Sequence, residues 1–354
     1  MTIVGKETTH EVFRKDQDFS FREGFSKKQQ ILNHLIYRHA ANLSETNEKI
    51  VKEFVSRKLT HLISRLQKNI IKAIDLCIGE CVEPKVIHDP RNTLADIIAI
   101  PAANIVVACI EKRLYDKKRL GDAWVAPLDA LQCHLNDPAV TPDLDPNNVN
   151  YDYIVDSICR MIFSAMVTTS NGASSVLYDL VKRKQHFWQE LYQEAQEINK
   201  QCNGNELTID DIARMIKLDS FVKESLRFLA PIVGIPHKCI SKSCYTFANG
   251  YQIPSDEELQ GQNPTEFRAY RHLERNSPAT KLERNYLSFG GGKHACPGRT
   301  FAVNQIKIYI HKILLKYDVR TNNKEIESKR RYFGPFSLLV NVDLVFENRK
   351  EIVN

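Results

Sequence analysis

Residues 289–302 have the sequence FGGGKHACPGRTFA, and this stretch determines how the rest of the chain is interpreted. A glycine-rich loop ends at Cys296, and an apolar helix is predicted after it because Phe301, Ile306 and Ile310 recur at helical spacing. A helix start has unpaired N–H groups and the positive end of the helix dipole, and both stabilise a thiolate over a thiol. We therefore expect the sulfur of Cys296 to ionise and hold a metal.

The same stretch resembles the cysteine loop of the cytochrome P-450 family, F-x-x-G-x-[RH]-x-C-x-G, at every fixed position. The resemblance implies a heme b iron whose axial ligand is the thiolate of Cys296. It also implies that Phe289, Gly292 and Gly298 belong to the heme-binding loop, and that His294 replaces the family's basic residue at a heme propionate. A lone cysteine is more often a buried structural residue, but here five fixed residue types fall in register.

The composition of the 354 residues is that of a globular protein, with 43% hydrophobic and 26% charged residues. The net charge of +6 is spread over helical faces, which indicates a solvated surface and not nucleic-acid binding. An acidic redox partner or an anionic membrane surface remains an alternative. The odd number of cysteines, nine, indicates a reducing compartment. Cys77 and Cys81 lack a second ligand pair, so their spacing favours core packing over zinc.

The periodicity predicts a mostly α fold with small β-sheets. Helices are predicted at 44–82, 93–115, 149–183, 184–201 and 219–229, a connection at 116–148, and a strand at 340–346.

The middle of the 149–183 helix is rich in small and hydroxylated residues, SAMVTTSNG at 164–172. It resembles the oxygen-binding helix of the family, A-G-x-[DE]-T-[TS], with Val167 at the acid position. The resemblance implies that Thr168, with Thr169 beside it, steers protons to bound dioxygen. A Ser/Thr-rich packing face is the alternative interpretation.

Glu224 and Arg227 lie three residues apart on one predicted helix face. Alone, such a pair is usually a surface pair. Upstream of the cysteine loop it resembles the family's fold-stabilising motif, in which a third arginine joins the two, and Arg271 takes that position. The resemblance implies a buried network of these three side chains.

Two further residues fall where the family places side chains against the heme propionates. Arg57 lies in the 44–82 helix, where a solvated arginine is an equally good interpretation. His237 stands where the family often has an arginine.

The chain resembles the family over most of its length, but with apparent internal and N-terminal deletions. We expect one truncated cytochrome P-450-like domain over 1–354, with an incomplete N-terminal part at 1–148 and a heme-binding helical core at 149–350. The resemblance implies an enzyme associated with the endoplasmic-reticulum membrane. No stretch here approaches the ~20 apolar residues of a membrane helix, so the chain as written is expected to be cytoplasmic or peripheral.

The resemblance implies a heme-thiolate monooxygenase that inserts one oxygen atom of dioxygen into a small apolar molecule. Its electrons come from NADPH through a reductase partner. One alternative is a degenerate heme-binding protein with little turnover. Another is a helical interaction protein without cofactor, which would not need a glycine-rich loop that ends in cysteine at a helix start.

Overall fold

The part of the chain that the structure describes is mostly helical, with three small antiparallel sheets, as the sequence predicted. The computed structural model describes residues 9–15, 19–20, 59–98, 119–121, 151–202, 204, 206–229, 238–239, 248, 267–273, 275–283, 286–292, 295–322, 330–333, 336–339 and 342–349. Most of the predicted connection at 116–148 therefore lies outside the described residues.

The helices of this part are, in chain order, α1 (Thr9–Arg14), α2 (Leu59–Cys77), α3 (Tyr151–Lys182), α4 (Lys184–Gln201), α5 (Ile209–Arg214), α6 (Ile216–Leu229) and α7 (Arg299–Lys316). Residues 90–98 are also helical. The long helix predicted at 149–183 and the charged helix at 184–201 are confirmed by α3 and α4. Within the described ranges, no helix combines the length and the apolar character needed to cross a bilayer.

The end of α2 differs from the prediction, which carried the helix to residue 82. The helix ends at Cys77 because Gly79 adopts a positive φ of 77°. The N–H groups of Ile78 and Gly79 both donate to the carbonyl of Ile74, which closes the last turn.

The strands are β1 (Phe19–Ser20), β2 (Lys85–Ile87), β3 (Lys238–Cys239), β4 (Tyr317–Thr321), β5 (Arg330–Phe333), β6 (Phe336–Leu339) and β7 (Leu344–Asn348). The sheets pair β1 with β3, β5 with β6, and β2 and β4 on either side of β7. The strand predicted at 340–346 begins later, at Leu344. Because β7 is the central strand of its sheet, Leu344, Val345 and Phe346 are all buried. Buried and exposed side chains therefore do not alternate along these three residues.

The apolar helix predicted after the cysteine loop, α7, lies at the centre of the core and packs against α2, α3, α4 and α6. Gly172 marks the point where α3, α6 and α7 meet. A Cβ atom at this glycine would lie 3.1 Å from Cδ2 of Leu226 on α6 and 3.2 Å from Cδ1 of Ile306 on α7. The small residue therefore allows α3 to approach the helix that begins next to Cys296.

His311 is a fully buried histidine in the middle of α7, and among the residues that the structure describes neither ring nitrogen has a hydrogen-bond partner. Burial, helped by the nearby charge of Lys312, lowers the pKa of His311 from 6.5 to about 3. The unfolded chain therefore binds more protons than the folded chain below pH 6.5. We expect the free energy of unfolding to fall by up to about 1.4 kcal/mol per pH unit as the pH drops from 6.5 towards 3.

Urea unfolding of the parent and of His311→Leu at several pH values measures this contribution. The variant should lose the part of the pH dependence that begins at 6.5. His186→Leu, which replaces an exposed histidine, is the matched control and should keep the parent's slope. Equal slopes for the parent and His311→Leu would contradict the prediction.

Candidate functional site

The loop that carries Cys296 is closed by hydrogen bonds of its own backbone. Gly290 and Gly292 turn the chain with positive φ values of 72° and 61°. The N–H of Gly290 donates to the carbonyl of Leu287 at 2.9 Å, and the N–H of Cys296 donates to the carbonyl of Phe289 at 2.8 Å. The loop thus returns to Phe289 before α7 begins.

The sulfur of Cys296 lies just before α7, whose N-cap is Gly298. The N–H groups of Gly298 and Arg299 donate to this sulfur, as expected at a helix start. Burial nevertheless has the larger effect and raises the pKa of the Cys296 thiol, while the two N–H groups and the Arg299 guanidinium oppose the rise only in part. The helix start does favour the thiolate, as expected, but desolvation, which that expectation ignored, outweighs it in the free chain.

Arg299 binds backbone carbonyls within the described part of the loop. Its Nε donates to the carbonyl of Thr280 at 3.1 Å, and its Nη1 donates to the carbonyl of Cys296 at 3.0 Å. The guanidinium therefore ties the cysteine loop to the segment before it.

The glycines of the loop lie against α1. A Cβ atom at Gly291 would be 3.3 Å from Cδ2 of Phe13, and one at Gly292 would be only 2.2 Å from the backbone oxygen of Phe13. Phe13 itself is buried. Glycine at 291–292 thus allows the backbone of an element far away in sequence to approach the cysteine loop.

We expect Gly292→Ala to destabilise the fold by about 2 kcal/mol or more, measured by urea unfolding. Alanine at this position combines the strain of a positive φ with a clash against backbone, which cannot rotate away as a side chain can. Gly204→Ala is the control, because Gly204 has a positive φ of 72° but nothing within 4 Å of its Cβ position. Equal losses for the two variants would show that α1 does not press on the loop.

Thr168 and Thr169 lie in α3, one turn before its contact with α6 and α7. Thr168 shares a helix face with Gly172, four residues later. It is half-buried, and its hydroxyl donates to the carbonyl of Ser164 at 2.6 Å. Thr169 is buried. Val167 has no proton to donate. At this level of the helix Thr168 provides a polar hydroxyl, which does not ionise near neutral pH.

Glu224, Arg227 and Arg271 are brought together in the core. Arg227 makes two bonds to the carboxylate of Glu224, from Nε at 2.8 Å and from Nη2 at 2.9 Å. Nε of Arg271 donates to the same carboxylate at 3.2 Å. Two further donors complete the set: the backbone N–H of Arg268 at 2.7 Å and Nε2 of His272 at 3.3 Å.

These donors decide the charge of Glu224. Burial of this fully enclosed side chain raises its pKa, but the bonds from His272, Arg227 and the N–H of Arg268 outweigh burial. The pKa of Glu224 falls from 4.5 to about 2, so the carboxylate is ionised at neutral pH.

Three predicted site residues, Arg57, His237 and His294, lie outside the described residues. Sequence reasoning missed His272 and the fully buried Lys223. A signal for Lys223 existed: Ser220, Lys223, Glu224 and Arg227 repeat at the i, i+3, i+4, i+7 spacing that normally marks an apolar face.

The sequence model of the cytochrome P-450 family matches residues 100–341 of this chain, well over half of its length. The chain belongs to the cytochrome P-450 family.

Several curated fungal members of this family are similar in sequence. The chain is 31% identical over 213 residues to cytochrome P-450 monooxygenase janQ of Penicillium janthinellum, covering 54% of this chain and 42% of that protein. It is 33% identical over 190 residues to cytochrome P-450 monooxygenase 71 of Postia placenta, covering 48% and 37%. The chain thus spans about two fifths of the length of the curated relatives that it matches.

The crystal structure of a cytochrome P-450 named CYP102L1 has the same fold. The two superpose with a TM-score of 0.68 at 16% sequence identity, covering 97% of this chain and 88% of the other. The helical core and small sheets described above are therefore those of the cytochrome P-450 fold.

The family implies heme, and the donor set around Cys296 fits this group. The residue is half-buried, and two N–H groups already point at its sulfur. Within the described ranges, no group of three or more His, Cys, Asp or Glu side chains is placed to hold a bare metal ion.

Proposed function

We propose that this chain is a heme-thiolate monooxygenase, or part of one, that inserts one oxygen atom of dioxygen into a small apolar organic molecule. Its electrons would come from NADPH through a reductase. The observation that carries the proposal is the half-buried Cys296 at the start of α7, with two N–H donors on its sulfur. The fungal relatives are named as monooxygenases, which supports the reaction class. We treat residues 1–354 as one domain.

Cys296 would bind the iron, and bound heme would supply a redox-active iron at which dioxygen is activated. The N–H groups of Gly298 and Arg299 stabilise negative charge on the sulfur once its proton is displaced. His294, Arg57 and His237 are the proposed partners of the heme propionates. Phe289, Gly292 and Gly298 shape the loop that holds the sulfur.

Thr168, with Thr169 beside it, would steer protons to bound dioxygen from the α3 side of the site. Its hydroxyl hydrogen is directed to the carbonyl of Ser164, so the lone pairs of its Oγ1 remain able to accept a hydrogen bond from water. In this role the side chain orders water and does not itself supply a proton.

The spectrum of the reduced, CO-bound form tests the proposal. The purified chain is titrated with heme, reduced and exposed to CO, and it should show the red-shifted Soret band of a thiolate ligand. A band typical of a histidine or neutral thiol ligand, or no binding at all, would overturn the proposal.

A heme-binding protein with little turnover is the second candidate function, and Val167 favours it. Where the family has an acid, this chain has a side chain that cannot carry a proton. Thr168 and water would then act without an acid, so the delivery of protons at the site would be less well controlled.

We therefore expect electron input to exceed product formation by a wide margin, with most electrons released as peroxide. The measurement supplies a compatible reductase and follows NADPH oxidation, peroxide and hydroxylated product for a panel of apolar molecules. Val167→Asp should raise the ratio of product to peroxide, and Val167→Leu is the matched control. Tight coupling in the parent on any of the molecules would contradict this prediction.

A further inference from the structure

Lys223 is a lysine with no solvent-exposed surface, next to Glu224 on α6. Its Nζ donates to Oγ of Ser277 at 2.6 Å, to the carbonyl of Ser277 at 3.3 Å, and to the carboxylate of Glu283 at 2.7 Å. An ammonium group has three hydrogens. All three hydrogens therefore bind acceptors in the segment 277–283, which precedes the cysteine loop.

A second ion pair fixes the same segment one helical turn earlier. Oδ2 of Asp219 on α6 accepts from the N–H of Ala279 at 2.7 Å. The other oxygen of Asp219 accepts from Nζ of Lys307 on α7 at 3.0 Å. Two turns of α6 thus hold the segment 277–283, and the pair with Lys307 also fixes α6 to the helix that begins beside Cys296.

A continuous series of contacts leads from Lys223 to Cys296. Nζ of Lys223 lies 4.7 Å from the ring centroid of Tyr286, which is buried. The N–H of Tyr286 donates to the carbonyl of Glu283 at 3.1 Å, and its ring packs edge-on against Phe289, with centroids 6.3 Å apart. The carbonyl of Phe289 then accepts the N–H of Cys296 at 2.8 Å.

We propose that Lys223 is a positioning residue for Cys296, acting through Ser277, Glu283 and Tyr286. A buried ammonium bonded to Ser277 and Glu283 holds these residues in one place, because leaving either charge unpaired is unfavourable. With Glu283 and Tyr286 held, the carbonyl of Phe289 fixes the backbone of Cys296 and the direction of its sulfur. The inference rests on the proposed function only in that this sulfur is to bind heme.

The first test uses the heme-free chain, so it does not depend on heme binding. Alkylation of each cysteine by iodoacetamide is followed by peptide mass spectrometry in the parent, Lys223→Met and Lys217→Met. Lys217 is a half-exposed lysine on the same helix and serves as the matched control. In Lys223→Met, alkylation of Cys296 should accelerate about tenfold. Local opening of the loop in this variant no longer has to break a charged hydrogen bond, so the open state is more populated. Lys217→Met should match the parent.

Cys81, which is buried far from the loop in the sequence, is the internal reference for general unfolding. Its alkylation should not change in Lys223→Met. An equal acceleration at Cys81 and Cys296 would overturn the proposal, since it would mean that Lys223 only stabilises the whole fold. No acceleration at either cysteine would overturn it as well.

If Lys223→Met does not fold, Glu283→Gln tests the proposal in its place. Glu283 is partly exposed, so the amide remains solvated, and the substitution removes the charge that faces Lys223 and the exposed Lys281, whose Nζ lies 3.8 Å from the carboxylate. This variant should accelerate alkylation of Cys296 but not of Cys81, and an unchanged Cys296 would overturn the proposal.

The second test uses the heme-loaded chain. Lys223→Met should convert part of the reduced, CO-bound form from the thiolate spectrum to that of a neutral thiol, whereas Lys217→Met should not. If the parent itself binds no heme, the proposed function fails, but the alkylation result still decides the role of Lys223.

Discussion

Replacing Cys296 by alanine is expected to abolish the thiolate spectrum of the heme-loaded chain completely. The loop contains no other soft anionic ligand, and the described part of the chain offers no alternative metal-binding cluster. The fold should survive, because the side chain is half-buried and α7 packs in the core against α2, α3, α4 and α6. The measurement is the spectrum of the reduced, CO-bound form, with circular dichroism of the same sample to verify the fold.

Cys77→Ala and Cys81→Ala are the matched controls for this variant. Both remove a free cysteine outside the loop, and both should keep the parent's spectrum. If Cys296→Ala retained a thiolate spectrum, another cysteine would have to be the ligand, and the assignment of the loop would be wrong.

The helical core and the cysteine loop were predictable because both depend on local sequence. The apolar period of α7 acts over a few residues, and the helix is present where this period predicts it. The end of α2 was not predictable from apolar period alone, since Ile78 and Cys81 continue the buried pattern past the last helical residue. Gly79, which ends the helix, was the better signal.

The resemblance implied the contact between Arg271 and Glu224, but other contacts between distant parts of the chain could not be predicted. The approach of Phe13 to Gly292 depends on how α1 packs, and periodicity contains no information about it. Lys223 would be assigned to a solvated face by residue type, because the partners that allow its burial lie on a separate segment. Desolvation of Cys296 is likewise a property of the packed core, and it reverses the direction that the helix start alone would give to its pKa.

Breaking the network of Glu224, Arg227 and Arg271 is expected to give the largest change in the free energy of unfolding. Glu224→Ala leaves Arg227 buried without its two bonds and removes the acceptor of Arg271, His272 and the N–H of Arg268. Breaking a buried pair in this way costs about 3–5 kcal/mol. Urea unfolding at pH 7 should show this loss, and the yield of soluble chain should fall.

The same network predicts a second pH window, which overlaps that of His311 between pH 4.5 and 3 and extends to lower pH. The pKa of Glu224 is about 2 in the folded chain and 4.5 in the unfolded chain, so the unfolded state binds more protons between these values. The stabilisation is fully present above pH 4.5 and is lost as the pH falls towards 2. Glu224→Ala should therefore lack the steep acid loss below pH 4.5 but keep the loss that begins at 6.5.

Two further variants separate burial from charge in this prediction. Arg271→Ala should cost less than Glu224→Ala, because Arg271 is partly exposed and its loss leaves the bond between Glu224 and Arg227 intact. Lys68→Ala, which breaks an exposed ion pair with Glu206, should leave the unfolding midpoint unchanged. If Glu224→Ala unfolded at the same urea concentration as Lys68→Ala, the carboxylate would not stabilise the core, and the reason for its burial would have to be sought elsewhere.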